Sequence, residues 1–395
     1  MRIKILTILL MVLFGFSLHG EETRKDSIIV SVITCAPGSE IYELCGHSAI
    51  RVRGEVEGHA IDSVWNYGLF DFNQPNFVYR YVKGETDYKV AGYPFAWFLP
   101  EYVEDGRTVT EQDLNLTAEE KRKALEALRT ISLPENCVYR YNYVKDNCAT
   151  RIADVLDTAT NHGVTYPDEV SYGTFRNEMR AYHKAYPWYQ FGIDLALGSG
   201  LDYPVNGKEE MFVPEEMMKK IGGAHLSTGE PLVSSTRVLF QGVENASLPP
   251  TPWYLTPMAF SIVILLLFAW VSYREIKKNR IFKPLYSIWF GICGLAGCLI
   301  AFLVFVSTHE ASSPNILLLW LNPLQLLPAI TVWSRKMRYV GLGMAWIDVV
   351  VIGVLLLVWP FQSQSANPAF FPLMGATLAL ALAYAIVTQR NLRTT

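Results

Sequence analysis

Hydrophobic positions along this chain follow two regimes that change near Pro249. Before it they form short runs and alternations of the kind that builds a folded domain. After it they form long apolar runs separated by short polar or basic loops. In the first regime, Ile28–Thr34 is a β-rich run. Gly46–Arg53 alternates with period two, placing Ser48, Ile50 and Val52 on one face and His47, Ala49, Arg51 and Arg53 on the other. Val64–Phe72 is a third strand candidate, and Val78–Gly84 and Tyr88–Gly92 continue the β character. Thr117 and Glu120 form a capping box that opens a helix running to about Arg129. The aromatic stretch Tyr139–Tyr143 reads as a strand. Asp146-Asn147 then cap a helix from Cys148 to about Asp157. Tyr166 to Gly242, rich in Tyr, Pro and Gly, is consistent with either a substrate lid or plain packing.

The second regime holds five apolar segments: Trp253–Tyr273, Leu285–Val306, Ile316–Trp333, Val340–Trp359 and Phe370–Thr388. Each approaches the roughly 20 residues that cross a bilayer as a helix. Arg274, Lys277, Lys278 and Arg280 follow the first, Arg335, Lys336 and Arg338 the third, and Arg390 and Arg393 the fifth. The alternate loops, Ser307–Asn315 and Pro360–Ala369, carry no Lys or Arg. The positive-inside rule therefore predicts a cytoplasmic C-terminus and an exported N-terminal domain. The N-terminus agrees. Arg2 and Lys4 precede an apolar Ile5–Phe16 stretch too short to span, and cleavage is expected near Ser17–Gly20. Uncleaved, that stretch would be a sixth spanning helix. The expected organisation is a signal peptide over residues 1–20, a periplasmic domain over 21–248 and a transmembrane domain over 249–395, multi-pass in the inner (cytoplasmic) membrane.

Composition sharpens this picture in one respect. Over 395 residues, 51% are hydrophobic and 18% charged, with net charge −3; mean hydropathy is +0.18. No global positive field and no basic cluster with interleaved aromatics points to nucleic acid. Of the six cysteines, Cys293 and Cys298 lie in an apolar run, whereas Cys35, Cys45, Cys137 and Cys148 lie in the exported domain, where disulfides can form. If Cys148 is a nucleophile, at most one disulfide remains among the other three.

The strongest chemical candidate is Cys148, at the first turn of its helix. Unpaired backbone N–H groups there favour a thiolate and are expected to lower its pKa. Ile152, Val155 and Leu156 share its face, so the thiol should point into the domain. A nucleophilic cysteine needs a base. His47 is the best placed of His47, His59, His162, His183 and His225, on a strand and after a glycine. The competing readings are a packed or disulfide-bonded cysteine and a structural histidine. Cys45 and His47 lack the spacing of a zinc site, and the chain has no phosphate loop and no GxSxG elbow. In the membrane half, His309-Glu310 with Asn315, and Asn322-Pro323 with Gln325, are polar spots. They read either as a loop plus a Pro-kinked helix, or as the lining of a head-group site.

Gly46-His47-Ser48-Ala49-Ile50-Arg51-Val52 and Asp146-Asn147-Cys148-Ala149-Thr150-Arg151 together resemble the periplasmic domain of Lnb-type lipoprotein N-acyltransferases of Bacteroidetes. Asn66 through Phe72, and His309 with Asn315 through Asn322-Pro323, extend the resemblance over most of the chain. Cys35, Cys45 and Cys137 have no place in that pattern. The resemblance implies an α+β permuted papain-like thiol-enzyme domain followed by an all-α membrane bundle of five transmembrane helices. It implies Cys148 as nucleophile and His47 as base. The third polar group would be Asn66, with Asp71 the second choice. Arg151, Asp71, His309 and Asn322 are the substrate-binding candidates. The implied partners are a membrane phospholipid as acyl donor and a diacylated lipoprotein as acceptor, with no metal and no cofactor. Two other classes stay open: a membrane-tethered cysteine peptidase or amidase acting on cell-wall peptide, and an envelope sensor or transporter with an exported binding domain.

Overall fold

The computed structural model describes residues 27–243 and 250–393; the expected signal peptide lies outside them. Among the described residues nine strands precede the membrane half. β1 (Ser27–Cys35), β2 (His47–Val56), β3 (His59–Leu69), β4 (Asp87–Pro94), β5 (Val109–Leu114), β6 (Val138–Arg140) and β9 (Val233–Phe240) form one sheet in the order β6-β4-β3-β2-β1-β5-β9. The pairings within it are antiparallel. β7 (Val164–Thr165) and β8 (His225–Leu226) make a separate small pair. β2 and β3 are joined by Glu57-Gly58, both at positive φ, the two-residue turn whose twist suits a hairpin.

The interleaved helices are α1 (Phe77–Lys83), α2 (Phe95–Glu104), α3 (Ala118–Ile131), α4 (Cys148–Ala159), α5 (Phe175–Tyr182), α6 (Pro187–Ala196) and α7 (Pro214–Gly222). Alternation along the strands decides which helices cover which face. Val32, Ile50 and Val52 face Leu125 and Leu128 of α3, Ile152 and Leu156 of α4, and Met217 of α7. Ile33, Ala49 and Val64 face Phe95, Phe98 and Tyr102 of α2. Arg51 and Arg53, on this second side, ion-pair with buried Glu111, and the Arg51 guanidinium lies 3.6 Å above the Phe95 ring.

Two local expectations change. Val78–Gly84 is helical, not extended: α1 forms there, closed by Gly84 at φ 80°. Its Val78 and Tyr79 project outward, and Tyr79 meets Phe302 of the membrane half, so apolar residues in succession mark a surface here and not a strand. The Tyr139–Tyr143 strand is only β6, followed by a turn bridged between Asn142 and Asp146.

The membrane half contains α8 (Pro257–Lys278), α9 (Lys283–Phe305), α10 (Leu326–Thr331), α11 (Arg338–Val358) and α12 (Phe370–Arg393). Among the described residues four helices are long and apolar enough to cross a membrane; α10 belongs to a shorter apolar stretch, Ile316–Thr331. The third expected span is therefore broken. Asn322 caps a new turn by accepting from Leu324 N, and Pro323 opens that turn. Non-helical backbone at such depth must be satisfied by protein. Gln325 Nε2 supplies this, donating to Trp320 O at 3.1 Å and to Asp348 Oδ1 at 2.7 Å. Gly297 of α9 makes room for the break: a Cβ there would sit 2.4 Å from the Asn322 carbonyl carbon. The broken stretch runs antiparallel to α9, from the Asn315–Gln364 contact down to the Trp333–Ser287 hydrogen bond. Large apolar side chains such as Val263, Leu266 and Leu295 stay exposed on the outside of the helices, as a lipid-facing surface requires.

The two halves are tied together chiefly by α5, α6 and the loop after them, within the stretch whose role the sequence leaves open. Arg180 bonds Ser365 at 2.7 Å, Asn367 bonds Asp194 at 3.1 Å, and Ser199 N donates to Pro314 O at 2.8 Å.

Candidate active site

Cys148 opens α4, and its neighbours fix that start. Asn147 Oδ1 accepts from Ala149 N at 2.9 Å and Thr150 N at 3.0 Å, while Thr150 Oγ1 accepts from Asn147 N at 2.8 Å. Asn147 Nδ2 donates to Tyr143 O and Phe212 O, both at 2.8 Å, which ties the cap to the domain body. Asn147 alone is the cap. Asp146 instead forms a two-pronged ion pair with Arg151, whose guanidinium lies 4.7 Å above the Tyr139 ring.

The thiol is buried. The backbone amides of Ser48, Ala149 and Cys148 lie on the sulfur's side and each favours the thiolate. Burial outweighs them: the Cys148 thiol is pushed up to about 11. The depression expected from the helix N-terminus is therefore overturned, because desolvation of a charged sulfur costs more than three backbone donors return.

His47 begins β2, one residue before the amide that holds the sulfur. Its Nε2 lies 2.6 Å from Asn66 Oδ1, and Asn66 Nδ2 donates to Tyr93 Oη at 2.8 Å. With the amide placed this way, Asn66 presents Oδ1 to the imidazole, an arrangement that puts the proton on Nε2. Asn66 sits just before a register shift in β3, a bulge of the kind that re-aims side chains near active sites. The imidazole also stacks with Tyr102, ring centroids 6.3 Å apart. Burial, together with the nearby Arg107 cation, lowers the His47 pKa to about 4, against the Asn66 hydrogen bond that raises it. At neutral pH the resting pair is a protonated thiol and a neutral imidazole.

Cys148 belongs to the core on the α4 side of the sheet, whereas His47 lies on the Tyr102 side. The two groups thus approach the start of β2 from opposite faces.

The other sequence candidates distribute differently. Arg151 buttresses the loop before Cys148. Asp71 is exposed and accepts from Asn73 N in a turn, so it is not brought to the site. Asn322 acts as the cap inside the bundle. His309 donates from Nε2 to Tyr81 O at 2.9 Å and lines a cleft of about 560 Å3 between the domain and the Thr308–Ala311 loop. Residues the sequence did not single out are Ser48, acting through its backbone, and Tyr93, Tyr102 and Arg107, which orient or tune the imidazole. Only the position of Ser48, next to a strand histidine, was a readable signal. All six cysteines are free thiols, and among the described residues no group of His, Cys, Asp and Glu is arranged to hold a metal ion.

Two family models match the chain. Residues 20–180 match the Lnb N-terminal periplasmic domain, and residues 250–392 match the Lnb transmembrane domain. No curated protein and no solved structure matches it.

Proposed function

The chain belongs to the Lnb family, and on that footing we propose that it is a lipoprotein N-acyltransferase that carries its acyl group on Cys148. The family places the N-terminal domain in the periplasm beside a transmembrane domain. The observation that carries the chemistry is a buried thiol at the start of α4 together with the His47–Asn66 hydrogen bond at the start of β2, where the Ser48 amide favours the thiolate. With Nε2 protonated against Asn66, Nδ1 is the basic nitrogen. It takes the thiol proton as Sγ attacks an ester carbonyl of a membrane phospholipid. The tetrahedral oxyanion is met by backbone N–H groups at the start of α4, that of Cys148 among them. Collapse breaks the ester C–O bond, and the departing lyso-lipid oxygen takes the proton from the imidazolium. The deprotonated α-amine of a diacylglyceryl-cysteine then attacks the thioester. His47 removes the amine proton and returns it to the departing thiolate, leaving an amide and a free thiol.

The order of a histidine strand before a cysteine helix supports a permuted papain-like domain. We read the membrane half as five crossings, the broken stretch being the third, in the inner membrane with a cytoplasmic C-terminus. Basic loops after the first, third and fifth segments support that orientation. Both substrates are lipid-anchored. Extracting an acyl chain costs about 0.8 kcal/mol per CH2, so a site at the membrane surface suits the reaction.

The test is expression in cells lacking their own lipoprotein N-acyltransferase, alongside Cys148→Ser and His47→Ala, with the mass of a lipoprotein N-terminal peptide as readout. Wild type is expected to add one acyl chain, and both variants none. No added mass with wild type sinks the acyltransferase reading. Added mass with Cys148→Ser sinks the nucleophile.

A further inference from the structure

The cleft that His309 lines has two walls of different origin. One is the soluble domain, with Glu85 and the run from Arg140 to Asp146; the other is the Thr308–Ala311 loop. The loop fixes the depth of the cleft. Helix α9 has 23 residues, which at 1.5 Å per residue is about 34 Å, enough for a hydrocarbon core of about 30 Å. Thr308 follows its last residue, Phe305, by three positions, so the loop lies in the head-group layer, about 5–7 Å thick on each side. Tyr79 of α1, packed on Phe302 with ring centroids 6.2 Å apart, marks the same boundary from the domain side.

The charges in the cleft are mixed. Arg140 and Lys145 are its cations; Glu85 and Glu310 are its carboxylates, while Asp146 is occupied by Arg151. A purely anionic ligand would meet the carboxylates, and a purely cationic one the cations. A ligand with a phosphate and an ammonium a few bonds apart satisfies both. The existing pairs yield readily. Lys145 and Glu310 are 2.7 Å apart with side chains 51% and 65% exposed, Glu85 meets the part-exposed Lys83 at 2.7 Å, and the half-exposed Arg140 meets Asp87 at 2.6 Å. Exposed ion pairs contribute little to stability, so replacing a partner costs little. The run Tyr141–Asp146 leads directly into Asn147 and Cys148, and the half-buried Tyr141 lies within electrostatic reach of the thiol.

We propose that this cleft binds the headgroup of a zwitterionic, ammonium-bearing phosphoglyceride, with phosphate against Arg140 and Lys145 and ammonium against Glu85 and Glu310. The proposal rests on the acyl-donor reading above and names the donor class. From this position the ester carbonyls follow the Tyr141–Asn147 run toward Cys148.

Binding is measured apart from turnover, so that failure of this proposal and failure of the acyltransferase reading stay distinguishable. The full-length Cys148→Ala protein, delipidated in detergent, is titrated by native mass spectrometry with phosphatidylethanolamine or phosphatidylglycerol of matched chains. The ethanolamine lipid is expected to bind about tenfold more tightly. Glu85→Gln with Glu310→Gln removes that preference, whereas Glu119→Gln, which neutralises an exposed carboxylate of α3 outside the cleft, keeps it and serves as the control. Glycerophosphoethanolamine, the headgroup without chains, is expected to bind far more weakly than the lipid. Four results would overturn the proposal: equal affinity for both lipids, a preference that survives loss of both carboxylates, chain-free headgroup binding as tight as the lipid, or displacement of the lipid by a diacylated lipopeptide, which would assign the cleft to the acceptor amine.

Discussion

At the scale of single residues, the site is a competition between burial and hydrogen bonding. Burial keeps Cys148 protonated and His47 neutral. The two groups therefore do not rest as a thiolate–imidazolium pair, and the proposed mechanism has the proton move during attack. The sign of the pH dependence follows. His47 works as a base only when unprotonated, so acylation of wild type by a short-chain thioester or ester should fall as pH drops through about 4. Asn66→Asp puts a carboxylate 2.6 Å from Nε2, favours the imidazolium and raises the His47 pKa. The acid limb should therefore move up, while Asn66→Ala slows acylation roughly 10–100-fold without an upward shift. A single-turnover pH profile of the three proteins decides this; an unmoved limb in Asn66→Asp would remove His47 as the base. Cys148, behind its Asn cap, and His47, on a strand, were legible as candidates in the sequence, and Asn66, on the neighbouring strand candidate, was what the family resemblance implied. The direction of the Cys148 shift was not legible, because it depends on how many distant side chains exclude water from the sulfur, Ile50 and Tyr67 among them.

At the scale of elements, the misread segments share a cause: apolar content alone does not separate a packed element from one shaped by its neighbours. The apolar run at Val78 is a helix whose exposed face adjoins α9. The run Ile316–Trp333 breaks at Asn322-Pro323 because α9 offers Gly294 and Gly297, against which backbone can lie. Legible in the sequence were the Pro and the polar residues; their partners Gly297 and Asp348 lie far along the chain. The break is load-specific and can be tested. Gly297→Ala would set its Cβ 2.4 Å from backbone of Asn322, an overpacking expected to cost about 1–3 kcal/mol. Gly291→Ala, on the same helix with nothing within 4 Å, should be neutral or stabilising by up to about 1 kcal/mol through helix propensity. Unfolding midpoints of both proteins in detergent measure the contrast. Equal midpoints would mean that the two elements do not meet at Gly297.

At the scale of the whole molecule, the proposed reaction depends on the docked arrangement of the two halves to bring the Cys148 thiol to the lipid surface. Few of the docking contacts are readable from sequence, since many are backbone carbonyls: Tyr81 O to His309, Lys83 O to Thr308, Pro314 O to Ser199. Gly198 is the closest approach, where a Cβ would fall 2.2 Å from Pro314 O. Neither partner at that point is a flexible side-chain tip, so Gly198→Ala has to move the domain or the outer loop. Cys148 lies in a separate core from the α5–α6 region that docks, so its own environment should persist. The expected outcome is a split. Transfer from phospholipid in proteoliposomes falls roughly 100-fold, the scale of an angstrom-sized misplacement of reacting groups. Alkylation of Cys148 by water-soluble iodoacetamide keeps the wild-type rate and pH profile. If both readouts fall together, the variant has damaged the domain itself. If transfer survives at the wild-type rate, the docked surface is dispensable and the helices serve only as an anchor. A split places the working surface at the boundary between the halves, where the Thr308–Ala311 loop and the turn before Cys148 face the same cleft.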